Sequence, residues 1–167
     1  MARSGISFIV PTCGRPTLSR ALASIASQID DGDEILVLCD KDAIWGNHSR
    51  DRMMEKASGT HLMFLDDDDV YAEGALVIVR EAIEANPEHV HIFRMESEGD
   101  NNPWNGQEIR PGNLGTPMVV WPNVGPFPLW TEDSSGHSDF RFIDTTIRRL
   151  GYVPIWHEEV LAIVRPA

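Results

Sequence analysis

Four consecutive carboxylates, Asp66-Asp67-Asp68-Asp69, stand directly behind the apolar run Leu62-Met63-Phe64-Leu65. Like charges so close repel, so a fold that fixes them at the end of a buried strand calls for a cation, or a metal carried by a phosphate, to neutralise them. The pattern points to a metal-assisted active site. An EF-hand loop would need alternating ligands and a central glycine, which Val70-Tyr71-Ala72 does not supply. The alternative is a solvated acidic loop, but solvated charge runs do not usually terminate a buried strand. Thr12 and Asp40 stand at the ends of two other apolar runs in the same way.

The elements that must position these groups can be read from periodicity. Residues 6–10 form a short β-branched run closed by Pro11, which cannot donate to a ladder, and read as the first strand. Thr17 can cap a helix whose apolar residues Leu18, Leu22, Ile25 and Ile29 recur at helical spacing. Residues 34–39 are nearly continuous in apolar side chains, as expected for a parallel strand covered on both faces. A loop holding Gly46-Asn47 leads to a polar helix over about 49–57, and the strand carrying the acidic tetrad follows. Residues 73–85 place Leu76, Val79 and Ile83 on one helical face before Asn86-Pro87 stops the helix, and 90–95 form another strand. This alternation predicts an α/β domain with a mainly parallel central sheet flanked by helices. Ligands of such sheets bind outside the carboxyl ends of the strands, where Thr12, Asp40 and the tetrad fall.

Residues 96–129 differ in texture, being rich in Gly, Pro and Asn, with Trp104, Trp121 and Trp130 in or just beyond them. Such a stretch is either a surface excursion pinned to the core by its tryptophans or an active-site lid or acceptor loop. A helix over 139–150 and a strand over 160–164 complete the chain.

Composition fits one domain spanning 1–167, large enough to bury a core without disulfides. A formal charge of -12 and a pI near 4.8 disfavour a non-specific hold on nucleic acid or an anionic membrane. With no signal-peptide pattern and no membrane-length apolar run, the chain is expected to be soluble and cytoplasmic. Cys13 and Cys39 match no zinc spacing and are expected to stay reduced.

Taken in order, several segments carry a family resemblance. Ile6-Ser7-Phe8-Ile9-Val10-Pro11-Thr12 with Arg15 and the helix ending Ala23-Ser24-Ile25-Ala26-Ser27-Gln28 resembles the opening of the inverting glycosyltransferases of family 2, in the GT-A fold group. Residues 34–42 resemble the nucleotide-binding second strand, and Gly46-Asn47 with Arg50-Asp51 the loop and helix before the metal motif. Residues 59–69 resemble the D-X-D segment itself. The resemblance covers about residues 5–95, which implies a Rossmann-like nucleotide-sugar-binding half, leaving about 96–167 as the acceptor and catalytic half.

The resemblance implies a transfer of sugar, with inversion, from a nucleoside diphosphate sugar, a UDP-sugar being favoured, to a hydroxyl acceptor, assisted by Mn²⁺ or Mg²⁺. It implies that Asp66 and Asp68 form the D-X-D pair, with Asp68 the first choice for the metal, Asp66 and Asp67 toward the donor, and Asp69 supporting the turn or a metal-bound water. Pro11, Thr12 and Arg15 would line the nucleotide; Asp40 or Asp42 would meet the base, although Lys41 separates these two acids that the family usually pairs; Arg50 would bridge to phosphate. His157 would approach the metal. An inverting transfer needs a general base. Gly136-His137-Ser138-Asp139-Phe140-Arg141-Phe142 resembles the family's acidic catalytic motif, with Ser138 where Glu is common, and gives Asp139 that role; Glu132 and Asp133 are alternates. Asp139 as a helix N-cap is the competing reading. The acceptor could be a small molecule, a protein, a glycan or, less favoured, a nucleobase. A non-catalytic sugar-nucleotide or glycan-binding module is the rival reading; a receiver domain is disfavoured, because Pro11-Thr12-Cys13 supplies no acidic pair.

Overall fold

A computed structural model describes residues 5–39, 46–97, 106–132 and 138–166. The first half alternates as its periodicity predicts: β1 Ile6–Thr12, α1 Leu18–Ala26, β2 Glu34–Cys39, α2 Asn47–Met54 and β3 His61–Phe64. After the acidic turn come β4 Val70–Tyr71, α3 Ala75–Ala85 and β5 His91–Ser97. The second half adds β6 Val119–Pro122, α4 Ser138–Leu150 and β7 Ile155–Val164. Short 3-10 turns at Thr116–Met118 and Trp130–Glu132 flank the approach to α4.

The seven strands form one sheet in the order β2-β1-β3-β6-β5-β7-β4. β1 runs parallel to β2 and β3, and β5 parallel to β7, so the α/β architecture is the expected one. The sheet as a whole is mixed, because β6 enters antiparallel between β3 and β5 and β4 pairs antiparallel with β7. β6 lies inside the stretch read as loop or lid. Trp121 of β6 and Trp130 are both buried, so these tryptophans do tie the segment to the core; Trp104 lies outside the described residues. β7 also begins five residues earlier than its apolar run, since polar His157, Glu158 and Glu159 continue the strand beside β5.

Alternation along β1 divides the core between the two faces of the sheet. Ile6, Phe8 and Val10 pack with Ala21 and Ile25 of α1 and Leu76, Val79 and Ile83 of α3. Ile9 joins Leu62 and Phe64 of β3, Met53 of α2, and Phe142, Ile143 and Ile147 of α4 on the opposite face. Close approach is needed where β3 starts: a Cβ on Gly59 would lie 2.7 Å from the Ser7 nitrogen. Thr17 precedes α1 but its hydroxyl makes no capping bond, contrary to expectation, because the residue is already in helical conformation rather than the extended one a side-chain cap requires. Cys13 and Cys39 are free and exposed. Among the described residues no helix is long and apolar enough to cross a membrane.

Candidate active site

The carboxyl ends of β1 and β3 bring the first group of residues together. Thr12 closes β1, and its hydroxyl donates to Asp67 Oδ2 at 2.6 Å while accepting from the Gly14 N–H at 2.9 Å. Arg15, one turn before α1, reaches back with Nη1 to Asp67 Oδ1 at 3.1 Å and Asp68 Oδ2 at 2.8 Å. Asp67 is thereby buried and spoken for by the chain itself. Its role is to fasten the acidic turn to β1.

α2 contributes Arg50. Gly46 starts this helix at φ 72°, packed so closely on Pro11 that an added Cβ would lie 2.9 Å from the proline Cβ. Only glycine meets both demands easily. The helix then turns Arg50 inward, where it is 2 % exposed and pairs with Asp66. Its guanidinium also sits 4.7 Å from the centre of the Trp130 ring, on which Phe142 of α4 stacks at 4.0 Å. The adjacent Asp51 holds Trp130 in place, accepting from the backbone N–H groups of Trp130 (2.7 Å) and Thr131 (3.2 Å) and from the Thr131 hydroxyl (2.8 Å). Arg50 and Asp51 therefore link α2 both to the acidic turn and to the second half of the chain.

The three remaining carboxylates, of Asp66, Asp68 and Asp69, each offer an oxygen within 4.8 Å of the others. Asp69 is the buried member, and burial, with the negative charge of Asp66 and also of Asp68, pushes its carboxyl up to about 7 against the N–H of Arg165. Such crowding of hard oxygen donors suits a divalent cation such as Mg²⁺, which takes carboxylate oxygens as ligands. The donor set fits. It also differs from expectation, in that Asp69 belongs to the group and His157 does not.

His157 lies well inside β7, where it contacts His91 Nδ1 at 3.0 Å and stacks on Phe93 at 4.3 Å. The part of β7 that meets the acidic turn is its far end, since Val70 and Tyr71 pair with Ile163 and Ala162. At 3.3 Å per residue, that end is roughly 20 Å from His157. The residue that arrives there is Arg165, whose N–H donates to Asp69 Oδ1 at 3.0 Å and whose Nε lies 3.5 Å from Asp68 Oδ2. No periodicity or motif in the sequence singles out this arginine.

Asp139 approaches from α4. It lies in the first turn of a helix that begins at Ser138, so it is not the N-cap, though its charge there suits the helix dipole. Burial raises its carboxyl above the ordinary range, and the negative charge of Asp66 adds to the rise, while Arg50 and Thr116 oppose it. The carboxyl of Asp139 thus lies within electrostatic reach of Asp66 and Arg50. Pro11, Thr12, Arg15, Gly46, Arg50 and Asp66–Asp68 together line a cavity of about 190 Å³ that Arg165 also borders. Asp40, Asp42 and Asp133 lie outside the described residues, as does the side chain of Glu132.

No family model and no curated protein sequence matches the chain. Among solved structures, it superposes on S. aureus TarS over 97% of its own length with a TM-score of 0.74 at 16% identity. For TarS 1–349 in complex with UDP-GlcNAc the figures are 98%, 0.73 and 16%, and for the complex with UDP 96%, 0.68 and 14%. The chain spans 37% of the first of these chains, 59% of the second and 60% of the third. At such identities the likeness is one of fold, and this chain has the α/β fold of TarS over nearly all of its length.

Proposed function

We propose that this chain is a metal-dependent, inverting glycosyltransferase of the GT-A group, similar to family 2, that moves a sugar from a nucleoside diphosphate sugar to a hydroxyl acceptor. The observation that carries the proposal is the electrostatic contact of buried Asp139 with Arg50 and Asp66, a pair from two other parts of the chain that lines a cavity together with Thr12 and Arg15. The fold supports a uridine diphosphate sugar as donor, since TarS, with the same fold, was solved with UDP-GlcNAc and with UDP.

Asp66, Asp68 and Asp69 would hold Mn²⁺ or Mg²⁺. Bound there, the cation supplies positive charge to the departing diphosphate. The chain's own residues do the rest. The acceptor oxygen attacks the anomeric carbon from the face opposite the diphosphate; the carbon–oxygen bond to the diphosphate breaks, and its electron pair leaves with the phosphate. Asp139 takes the acceptor's proton. A carboxyl raised by burial and by Asp66 is a stronger base than an ordinary aspartate, which suits that task near neutral pH. Arg50 keeps Asp66 oriented, and Thr12 with Arg15 keeps Asp67 from swinging into the donor space.

The test is Asp139→Asn, measured as release of UDP from a UDP-sugar panel with a mixed pool of hydroxyl acceptors. Turnover should fall by a factor of 10² to 10⁴, the usual contribution of a positioned base, with UDP affinity changed less than threefold. Full activity in the variant would remove Asp139 from catalysis. UDP binding without turnover in the wild-type chain would favour a non-catalytic binding module.

A further inference from the structure

Arg165 is the one non-glycine residue with positive φ among the described residues, at 47°. A side chain in that conformation is strained and persists only where the surroundings hold it. Two contacts do so here: its N–H on Asp69 Oδ1, and the next residue's carbonyl, that of Pro166, which accepts from Arg20 Nη2 at 2.7 Å. The chain end is thereby turned so that the guanidinium hangs over the acidic turn, 79% exposed, with Nε 3.5 Å from Asp68 Oδ2. That same oxygen accepts from Arg15 Nη1 at 2.8 Å. Two arginines from opposite ends of the sequence thus share one carboxylate oxygen, and both border the cavity beside it.

This arrangement has a consequence for a site that takes a cation. Asp68 belongs to the carboxylate triad, so a divalent ion bound there competes directly with both guanidinium groups. Arg15 is also tied to Asp67 and stays close. Arg165 meets Asp68 from a side chain that is largely in solvent, so it is the arginine able to move outward. A guanidinium displaced from a carboxylate meets an equally good partner in a phosphate, which it binds with the same two-pronged geometry.

We propose that Arg165 is an exchangeable counter-cation: it rests on Asp68 in the unloaded site and transfers to the diphosphate of the nucleotide when a divalent cation occupies Asp66, Asp68 and Asp69. The inference rests on the donor-site reading above. Because the arginine must give up Asp68 before the metal binds and gains a phosphate only when nucleotide follows, removing it has opposite effects on the two ligands. Metal alone binds more tightly, and nucleotide in the presence of saturating metal binds more weakly.

Arg165→Gly is the variant of choice, since glycine adopts φ 47° without strain and keeps the N–H that binds Asp69. Mn²⁺ binding to the full chain is measured from the spin-resonance signal of free Mn²⁺, and UDP binding at saturating Mn²⁺ by calorimetry. The variant should bind Mn²⁺ alone about 3- to 10-fold more tightly and UDP about 5- to 30-fold more weakly, with Arg165→Lys between it and the wild type. Parallel weakening of both ligands would assign the residue a structural role and overturn the exchange, as would no change in either. If the wild-type chain itself binds no Mn²⁺, the donor-site reading falls and the exchange with it; if it binds Mn²⁺ and UDP as expected while the variant matches it, the exchange alone falls.

Discussion

Asp66, Asp67, Asp68 and Asp69 meet different partners, and their roles separate accordingly. Asp67 is consumed by Thr12 and Arg15, Asp66 is paired with the buried Arg50, Asp68 faces two exposed guanidinium groups, and Asp69 is buried against the Arg165 backbone. The tetrad was legible in the sequence as a concentration of charge at a strand end. What could not be read is that Arg15, Arg50 and Arg165 already offset much of that charge, because they come from three remote positions that only the sheet brings together. The same distance effect explains the misassigned histidine: a C-terminal residue does reach the tetrad, but it is Arg165. Arg50 is the side chain on which most of the site depends. Arg50→Lys keeps the charge yet loses both the planar contact with Trp130 and the fork that fits Asp66, so it should lower stability by about 2 kcal/mol in urea unfolding. A loss below about 0.5 kcal/mol, the size of an exposed pair, would place this interaction among surface salt bridges.

Elements were legible where periodicity was unopposed. β1, α1, β2, β3 and α3 have the apolar spacing their burial requires, and each was readable within a few residues of its observed span. β6 was hidden because Val119-Val120-Trp121-Pro122 is only four residues long, ends in proline and sits among turn-forming residues, yet it occupies the centre of the sheet. Tertiary pairing with β3 and β5 overrides the local signal. β7 was truncated for the opposite reason, its first half being polar while its neighbour β5 supplies the ladder. The helix pair that frames the site, α2 and α4, communicates through Trp130 and Phe142, and Asp51 fixes the turn that carries Trp130. In the sequence Asp51 is marked only by the resemblance of Arg50-Asp51 to the helix before the metal motif, which does not reveal its hold on Trp130.

At the scale of the molecule, one end of the sheet carries the acidic site and the buried middle carries a histidine pair. His91 Nε2 faces the Asn86 carbonyl and its Nδ1 faces His157 Nε2, so the neutral ring donates to the carbonyl and accepts from His157. Burial, with the nearby His157, His61 and His89, holds His91 down at about 4, against 6.5 in an unfolded chain, despite the Asn86 carbonyl. Between those values the unfolded chain binds a proton that the folded chain refuses, so the contribution of His91 to stability falls as pH drops from about 6.5 toward 4. Asp69 and Asp139 act with the opposite sign: their raised carboxyls favour the folded state at low pH and lose that advantage as pH rises. Comparison with His91→Gln isolates the histidine. The wild type should lose about 2 kcal/mol more than the variant between pH 7 and 4.5 in urea titrations, and parallel profiles would contradict the assignment.

The proposed activity requires the acidic end of the sheet to act as a metal-dependent site for a nucleoside diphosphate. The most direct measurement is the melting temperature of the full chain with UDP and other nucleoside diphosphates, each with and without Mn²⁺ or Mg²⁺, in the wild type and in Asp68→Asn. A ligand that binds only the native state at about a hundred times its dissociation constant adds about 2.7 kcal/mol, equivalent to several degrees for a domain of this size. The predicted result is a rise of that order for UDP with a divalent cation, little for UDP alone, and none in Asp68→Asn; no metal-dependent rise with any nucleoside diphosphate would contradict it.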